Sequence, residues 1–543
     1  MKKKTRQKKS NVVQCTLFML IGLMGLIRQI PLTNLIGDDG NAYFAVAYEL
    51  GMMVLVITAV GLSEAVSVMV EARMKRGQCR SAGRVLSSSL LLAALFSILA
   101  GTLVFLAAKE LTGDLLKESL SMYALRACAP VLLILSVSGV LRGYFQGIGT
   151  RMPEIFCGVL VQILLFLFML IPAKKFTVYG EKVGRLLQNT HFRAAYGAMG
   201  AVFGLLAGAI IGLLFLMFVY KLYRRILKKQ EQRDTTRNVE SFGQMVKLLL
   251  WTAVPLFLPL FLYYCGHILE QALFNHYMID NAMETQKAVQ WGVYFGKYRV
   301  ITRIPLAVIL PVCLAIVPAI ARSVGKTDLK QAKDRISTCM HMTFFLAMPW
   351  AVSLGVLAKP LMELFYDGET ALAISLLQTG SFLVVGLALA VLTSRILQAI
   401  GREKRVLFNA FVSFLVQMGL FVVFLQYLGL NVYAAVYAEL AAVFLLAFLN
   451  LTAICRILHY RQEWIRSLLL PAGAAIAAGI AEYLLFIGFC RLMGNLGVLP
   501  VALLGTVLYL LIILAFHGIS ERELSRLPGG QIMIQAARML RLL

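Results

Sequence analysis

Ionisable side chains lie inside long apolar segments of this 543-residue sequence. Arg28 lies within IGLMGLIRQIPL, and Arg299 and Arg303 lie within FGKYRVITRIPL. Residues four apart share one helix face, and a guanidinium group binds phosphate oxygens through two hydrogen bonds. Each arginine alone could form a structural ion pair or extend to the interface, but together they outnumber the nearby deep acids. We therefore expect Arg28, Arg299 and Arg303 to bind an anionic group, such as a pyrophosphate, in a central cavity.

Two acidic residues lie in these segments as well. Glu64 lies within VGLSEAVSVMV, and Glu270 follows His267 by three positions. Because a charge is costly inside a bilayer, an ionisable residue there is a candidate functional group. We expect each acid either to form an ion pair or to couple the protein to Na⁺ or H⁺. The GKT at 325–327 lacks the earlier glycine of a phosphate-binding loop, so ATP hydrolysis by this chain is not predicted. The membrane potential is therefore a third candidate source of energy, beside gradients of Na⁺ and H⁺.

The composition predicts the class of protein. The chain is 60% hydrophobic and 15% charged, with a mean hydropathy of +0.80, whereas soluble domains carry about 25% charged residues. Apolar stretches of about 20 residues, the length that crosses a bilayer, recur along the chain. The sequence predicts an all-α polytopic membrane protein with about fourteen transmembrane helices. The nine cysteines include no CxxC pair, so neither a metal site, a disulfide framework nor a cofactor is predicted.

The basic residues that give the chain its net charge of +25 are concentrated in the loops between these spans. The N-terminal tail is basic, and nearly every second loop after it is basic too, as the positive-inside rule requires. We therefore expect a multi-pass protein of the cell membrane with both termini cytoplasmic, in contact with membrane lipids and monomeric. The sequence has no separate basic domain of the kind that binds nucleic acid, so no nucleic-acid partner is expected. One segment, 173–195, breaks the alternation, because it is basic yet is expected to form an outer loop.

The chain contains an internal repeat at an offset of 252 residues. LRGYFQGIGTRMPE occupies 141–154 and SRILQAIGREKR occupies 394–405, each between two apolar runs. Gln146 and Gly149 match Gln398 and Gly401, and the starts of several spans coincide under the same shift. Parallel repeats of this kind build the two halves of many secondary transporters. We expect both motifs to act as cytoplasmic hinges or gates. Their residues are Arg142, Gln146, Gly149, Arg395, Gln398 and Gly401.

The repeat predicts two pseudo-symmetric six-helix lobes followed by two further helices. The segments are a basic cytoplasmic tail at 1–11, an N-terminal lobe at 12–220, a basic cytoplasmic linker at 221–245, a C-terminal lobe at 246–455, two spans within 456–517 and an amphipathic cytoplasmic tail at 518–543.

Four stretches resemble one transporter family. RQIPLTNLIGDDGNAYFAVAY at 28–48, GLSEAVSVMVEA at 61–72, GYFQGIGTRMPE at 143–154 and VPAIARS at 317–323 resemble the stage V sporulation protein B branch of the MOP flippase superfamily. That branch is similar to the MurJ/MviN lipid II flippases. The resemblance covers about the first thirteen helices.

The resemblance implies a two-lobed MOP/MATE-like transporter that flips an undecaprenyl-pyrophosphate-linked saccharide, such as the peptidoglycan precursor lipid II, by alternating access. In the lipid II flippases, cavity arginines on the first, second and eighth helices serve the substrate. Arg28 matches the first of these, and Arg303 or Arg299 matches the last. The second helix carries Glu64 instead of an arginine, so this chain departs from the pattern there.

Other functions remain open from the sequence. The chain could export a different polyprenyl-linked polysaccharide unit, in growth or in sporulation. A MATE-like cation or drug antiporter is a further reading, although a cation site favours deep acids over arginines. A membrane glycosyltransferase requires an acidic catalytic cluster, for which only the GDDG at 37–40 is a candidate. A non-transporting scaffold for wall or spore-coat assembly is the last alternative. A transporter rather than an enzyme is the expectation.

Overall fold

The structure of the chain is a computed structural model. It describes residues 2–232, 234 and 241–524, with 530, 534, 535 and 538 in the tail; for 2–12, 490–492 and 522 only the backbone is described. The described residues are overwhelmingly helical and include no strand, which confirms the all-α prediction. The helices are α1 (Lys2–Ile27), α2 (Gln29–Leu55), α3 (Leu62–Lys75), α4 (Cys79–Leu106), α5 (Ala108–Glu110), α6 (Met122–Gly147), α7 (Met152–Leu186), α8 (Phe192–Gln232), α9 (Phe242–Asp280), α10 (Glu284–Val293), α11 (Arg299–Leu314), α12 (Val317–Gly325), α13 (Leu329–Val356), α14 (Ala358–Phe365), α15 (Ala371–Gly380), α16 (Leu383–Ala399), α17 (Glu403–Val422), α18 (Tyr433–Leu458), α19 (Leu470–Met493), α20 (Val498–Ala515) and α21 (Glu521–Leu524).

The described helices fit the predicted number of spans. Twelve continuous helical stretches are long and apolar enough to cross a bilayer, and the bent pair Ala371–Gly380 and Leu383–Ala399 forms one more. One of the twelve, Val13–Lys75, has 63 residues. At 1.5 Å per residue it would be about 95 Å long if straight, roughly three times the hydrocarbon core. It therefore contains two spans, and the described part of the chain is consistent with about fourteen.

The first two spans are separated by a break rather than a loop. The Arg28 N–H still donates to Met24 O at 3.2 Å, and the break lies at Gly37, which has φ 76° and ψ 177° inside α2. Only glycine adopts this backbone conformation without strain. The sequence GDDG at 37–40 is typical of a turn, and the backbone does break there at Gly37, but the helix resumes directly afterwards.

The basic segment 173–195 is not a loop, so its predicted conformation was wrong. α7 continues to Leu186 and α8 begins at Phe192. α7 has 35 residues and is about 52 Å long, which exceeds the thickness of a hydrocarbon core by about 20 Å. The five basic side chains of this segment are all exposed: Lys174, Lys175, Lys182, Arg185 and Arg193. Apolar periodicity missed the extension because the lysines at 174, 175 and 182 interrupt its apolar residues.

The two repeat motifs end their helices in the same way. After α6, Gly149 has φ 88°, its N–H donates to Gln146 O at 3.0 Å, and the Thr150 N–H donates to Phe145 O at 3.1 Å. This is a glycine-terminated helix end, in which the left-handed residue lets the chain reverse. The offset of 252 residues therefore links matching backbone geometry as well as matching letters.

After α16 the same turn recurs. Gly401 has φ 76°, its N–H donates to Gln398 O at 3.0 Å, and the Arg402 N–H donates to Leu397 O at 2.9 Å. The role of these turns as hinges remains a prediction.

A row of glycines allows α7 and α8 to pack closely. Gly200, Gly204, Gly208 and Gly212 lie four residues apart on α8, and a Cβ at each would collide with α7. At Gly204 the collision would be with the backbone of Phe168 and Met169. Small residues at this spacing let membrane helices approach until their backbones touch, as the sequence predicts here.

Contacts divide the chain into two compact units. One contains Pro31–Gly296, and the other contains Met1–Ile30 together with Lys297–Leu543. The second unit therefore includes the first helix of the chain. The predicted lobes at 12–220 and 246–455 follow the sequence repeat, not this grouping by contact, and they stay a prediction. Most of the predicted amphipathic tail at 518–543, and part of the linker at 221–245, lie outside the described residues.

Candidate functional site

The three predicted cavity arginines belong to the same unit, on α11 and at the end of α1. α1 packs against α11 so tightly that a Cβ on Gly22 would lie 2.9 Å from Ala307 Cβ. Seven residues before Gly22, Cys15 lies near Cys313, which is six residues after Ala307. Residue numbers thus rise along α1 as they fall along α11. The two helices are antiparallel at this contact.

The antiparallel packing places the arginines at one level. Arg28 follows Gly22 by six residues, which is about 9 Å along the axis. On α11, Arg303 and Arg299 precede Ala307 by about 6 Å and 12 Å. Arg28 therefore lies at a height between the other two. The structure thus carries the three predicted arginines at similar heights on two packed helices, with Arg28 and Arg299 buried.

A π-helical turn precedes the arginines of α11. It covers Tyr294–Tyr298, and Arg299 follows it directly. Such turns change the direction in which side chains project and recur at functional sites. Lys297, within the turn, is 2% exposed, and its Nζ donates to Glu369 O at 3.1 Å. Lys297 adds a third cation to this stretch of chain, beside Arg299 and Arg303.

Arg303 has an acidic partner. Arg303 Nη2 lies 3.9 Å from Glu439 Oε1 on α18, and Glu439 is fully buried. The carboxylate offsets part of the positive charge of the cluster. The sequence alone does not identify Glu439 as the partner of Arg303, because no spacing rule relates residues 136 positions apart. The sequence signal that pointed to such a pair is an acidic residue inside an apolar span, in a chain whose other spans carry several cations.

An apolar groove lies on the same two helices. It has a volume of about 460 Å³ and includes Met19 of α1 and Val308 and Val312 of α11. Its other walls come from α13 and α20, and most of its surface is aliphatic or aromatic. Val308 is five residues beyond Arg303, about 7 Å along α11. The unit thus has an apolar groove lined by the same two helices that carry the arginines, although Val308 lies about 140° around the helix axis from Arg303. The sequence alone did not predict this groove.

The two predicted acids lie in the other unit. Glu270 is fully buried on α9, and its Oε2 lies 3.1 Å from Nδ1 of the equally buried His267. Glu64 is half-buried in the first turn of α3, directly after the π-helical turn Val56–Gly61. The pair formed by Glu270 fits the ion-pair alternative, whereas ion coupling by either residue remains a prediction.

The predicted hinge arginines contact their own surroundings. Arg395 Nη1 donates to Gln398 Oε1 at 3.2 Å within the second motif. Arg142 interacts electrostatically with Glu154, which follows the first motif turn. These contacts stiffen each turn but do not by themselves show a gating role.

The described residues contain no group of three or more His, Cys, Asp or Glu side chains that could hold a metal ion. Eight cysteines within the described side chains are free thiols. No cofactor enters the functional argument.

Comparison with known proteins places the chain in a family. The sequence model described as "Polysaccharide biosynthesis protein" matches residues 9–324, more than half of the chain, and the MatE model matches residues 298–423. The chain belongs to the polysaccharide biosynthesis protein family. Its membrane-spanning character and the resemblance to the MOP superfamily both agree with this assignment.

Two relatives from Bacillus subtilis (strain 168) extend the similarity. Stage V sporulation protein B is 22% identical over 524 residues, which is 95% of this chain and 97% of that protein. Lipid II flippase MurJ is 22% identical over 399 residues, 70% of each.

Solved structures show the same fold. A multidrug resistance MATE family transporter of the MOP superfamily, in an inward-facing conformation, aligns with a TM-score of 0.62 at 17% identity, over 83% of this chain and 98% of that one. A MOP superfamily transporter from Pyrococcus furiosus aligns with a TM-score of 0.60 at 18% identity, over 83% of this chain and 96% of that one. The expected MOP/MATE-like fold is therefore confirmed.

Proposed function

We propose that this protein is a flippase that moves an undecaprenyl-pyrophosphate-linked saccharide, lipid II above all, across the cytoplasmic membrane by alternating access. One observation carries the proposal: α1 and α11 carry the buried Arg28 and Arg299 and also contribute to the lining of an apolar groove. A polyprenyl pyrophosphate has the complementary chemistry, with a dianionic head next to a long hydrocarbon chain. Similarity to relatives named as a lipid II flippase and a sporulation protein supports it.

The cluster would hold the head group without trapping it. Guanidinium groups bind phosphate oxygens in pairs, so Arg28 and Arg299 provide the attraction. Arg303 reaches the substrate only by loosening its ion pair with Glu439. That carboxylate competes with the pyrophosphate, which lowers the affinity and favours release on the far side. The saccharide needs no contact with these residues.

The energy source belongs to the same proposal. Glu64 and the Glu270–His267 pair are buried or half-buried ionisable groups in the other unit, where protonation or Na⁺ binding would alter local packing. The membrane potential acts directly on a cationic cluster in the bilayer. Both termini are proposed to be cytoplasmic, and Gly149 and Gly401 to end the helices that move.

The test is complementation. A bacterium depleted of its own lipid II flippase would express the intact chain, Arg28→Ala, Arg299→Ala or Arg126→Ala. Arg126 is a half-buried arginine on α6 that packs over the Phe105 ring outside the cluster, so it is the matched control. Growth and lipid II exposed on the outer leaflet are measured, with immunoblots for membrane levels.

Rescue by the intact chain and by Arg126→Ala, with at least tenfold less exposed lipid II in the two cluster variants, supports the proposal. No rescue at normal membrane levels contradicts lipid II as the substrate. Complementing strains that lack exporters of other polyprenyl-linked units then tests the sister substrate class, and drug-extrusion assays test the antiporter reading.

A further inference from the structure

A second cationic cavity lies between α4 and α8, in the unit formed by Pro31–Gly296. It has a volume of about 440 Å³. Residues of α4 line it at positions 80, 83, 84 and 87, and residues of α8 line it at 220, 224, 227, 228 and 231. Both sets follow the spacing of one helix face. The cavity is therefore a gap between two facing helices.

The charge of this cavity is strongly positive. Its lining includes Arg80, Arg84, Arg224 and Lys228 against a single acid, Glu231. A larger cavity in the other unit, about 820 Å³, has a mixed lining in which four acids accompany three cations and a histidine. Basic residues near the inner membrane surface are common, but here they converge on a partly open gap between two helices instead of spreading along a loop.

The framework of the cavity is fixed by its own contacts. The Arg80 N–H donates to Asp234 Oδ2 at 2.8 Å, and Arg80 Nε donates to Glu231 O at 3.1 Å. Asp234 thus caps the N-terminus of α4 and joins it to the end of α8. Gly83 leaves room for the Glu231 carboxylate, because a Cβ at position 83 would lie 2.8 Å from Glu231 Oε1. Arg84, Arg224 and Lys228 remain on exposed positions around the opening.

An apolar extension continues from the cavity. Arg84 and Ser87 also line a neighbouring space of about 330 Å³, together with Leu91, Phe242 and Met245. Leu91 and Phe242 are exposed. A cationic space thus opens directly onto aliphatic and aromatic surface. This order of polar and apolar parts matches a lipid, with its phosphate at the membrane surface and its acyl chain toward the core.

We propose that the gap between α4 and α8 binds the phosphodiester head group of an anionic phospholipid of the inner leaflet, distinct from the transported substrate. Basic pockets between transmembrane helices on the cytoplasmic side bind such head groups. The predicted topology places the start of α4 and the end of α8 on that side. The lipid would bridge the two helices at the point where Asp234 already joins them.

Binding is measured on the purified full-length chain by native mass spectrometry, titrating phosphatidylglycerol, phosphatidylcholine or glycerol 1-phosphate. Arg224→Gln/Lys228→Gln removes two cations from the cavity. The control Arg225→Gln/Lys229→Gln removes an arginine and a lysine from exposed positions on α8 that do not line the cavity. We expect phosphatidylglycerol to bind at least tenfold more tightly than phosphatidylcholine. The cavity variant should lose at least fivefold, and the control should stay within twofold.

Equal losses in both variants, no loss, or equal binding of phosphatidylcholine would overturn the proposal. Competition by glycerol 1-phosphate at lipid concentrations would show a site for free phosphates instead. A photoactivatable phosphatidylglycerol tests the intact chain without any substitution. Labelled peptides should come from 80–91 and 220–231, and labelling confined to other helices would contradict the assignment even if the variants failed to fold.

Discussion

The buried cations of this protein contact different kinds of oxygen atom. Arg303 faces the fully buried carboxylate of Glu439, whereas Lys297 is held by a carbonyl oxygen of Glu369. Removing one partner of a buried ion pair leaves the other charge in a low-dielectric site, which costs more than the pair itself contributes. The pair between Arg303 and Glu439 therefore provides a sensitive probe of how the cluster holds an anion.

The first prediction concerns this pair. Glu439→Gln should raise the affinity for a lipid II analogue, because the Glu439 carboxylate then no longer competes for Arg303, and should slow release. Arg303→Gln should lower the affinity, and the double variant should resemble Arg303→Gln alone. The coupling between the two changes should be about 0.5–3 kcal/mol. Affinities are measured by titration of the purified variants.

Glu482→Gln is the matched control for the first prediction. Glu482 is another buried acid of the same unit. Its Oε1 accepts a hydrogen bond from the Ser353 hydroxyl at 2.8 Å, which is a neutral donor and not a cation. Additive effects of Arg303→Gln and Glu439→Gln would contradict the competition model.

The second prediction concerns pH. Burial raises the pKa of Glu118 to about 7 although Lys287 opposes the shift, and Asp39 and Glu284 add to it. Since the folded state binds this proton more tightly than the unfolded chain, the contribution is present below about pH 4.5 and is lost as pH rises through 7. Glu118→Gln should remove a pH-dependent difference of up to about 3 kcal/mol.

Thermal unfolding of the intact protein and of Glu118→Gln in detergent, at several pH values between 4.5 and 8, measures this difference. Glu181→Gln, a change to an exposed carboxylate that pairs with Arg185 away from Glu118, is the control. Parallel curves for the intact protein and Glu118→Gln across this range would refute the assignment.

At the scale of elements, the sequence predicts apolar spans well and their ends poorly. The long apolar runs identify the helices because a bilayer requires them. The sequence missed the 14 residues by which α7 extends beyond its apolar run at 172, since Lys174, Lys175 and Lys182 carry no apolar periodicity. The sequence does indicate a turn at GDDG 37–40, and the backbone breaks there at Gly37, but hydropathy gives no sign that the helix resumes at once.

The third prediction concerns the two helix ends that the repeat relates. Gly149→Ala and Gly401→Ala each place a side chain in the left-handed region, which should cost about 1–2 kcal/mol. We expect each variant to unfold at a lower temperature and transport more slowly. Gly473→Ala, in open space inside α19, should preserve stability or raise it, because alanine favours helix.

The comparison uses thermal unfolding and the exposed lipid II assay on all three variants. A change at Gly149 that lowers stability without affecting transport would assign the turn a structural role only. A loss of transport at normal stability would favour the hinge.

At the scale of the molecule, the site could be predicted only in part. Arg28, Arg299 and Arg303 are visible in the sequence because charge is rare in apolar runs. Their common level follows from the antiparallel packing of Gly22 against Ala307, which joins residues 285 positions apart. The groove depends on four helices at once. Local patterns identify such residues, but only tertiary packing shows which of them meet.

The last prediction concerns orientation. The positive-inside rule puts both termini in the cytoplasm, yet it conflicts with the basic end of the α7–α8 pair. That end carries its charges on α7 and α8 themselves, and α7 is about 20 Å longer than the hydrocarbon core. These charges lie within the range that the rule counts, but the basic loops on the other side, repeated along the chain, outweigh this one segment. We therefore expect Lys182 to face the outside and Arg225 the cytoplasm.

Single cysteines at these two positions, in a chain whose native cysteines are replaced, test this arrangement. A membrane-impermeant maleimide added to intact cells should label Lys182→Cys and not Arg225→Cys, whereas permeabilised cells should show both. Because the two exposed positions lie toward opposite ends of the α7–α8 pair, each serves as the control for the other. Labelling of Arg225→Cys alone in intact cells would invert the topology. The lipid cavity between α4 and α8 would then face the outer leaflet, and the direction of transport assigned to the arginine cluster would have to be reversed.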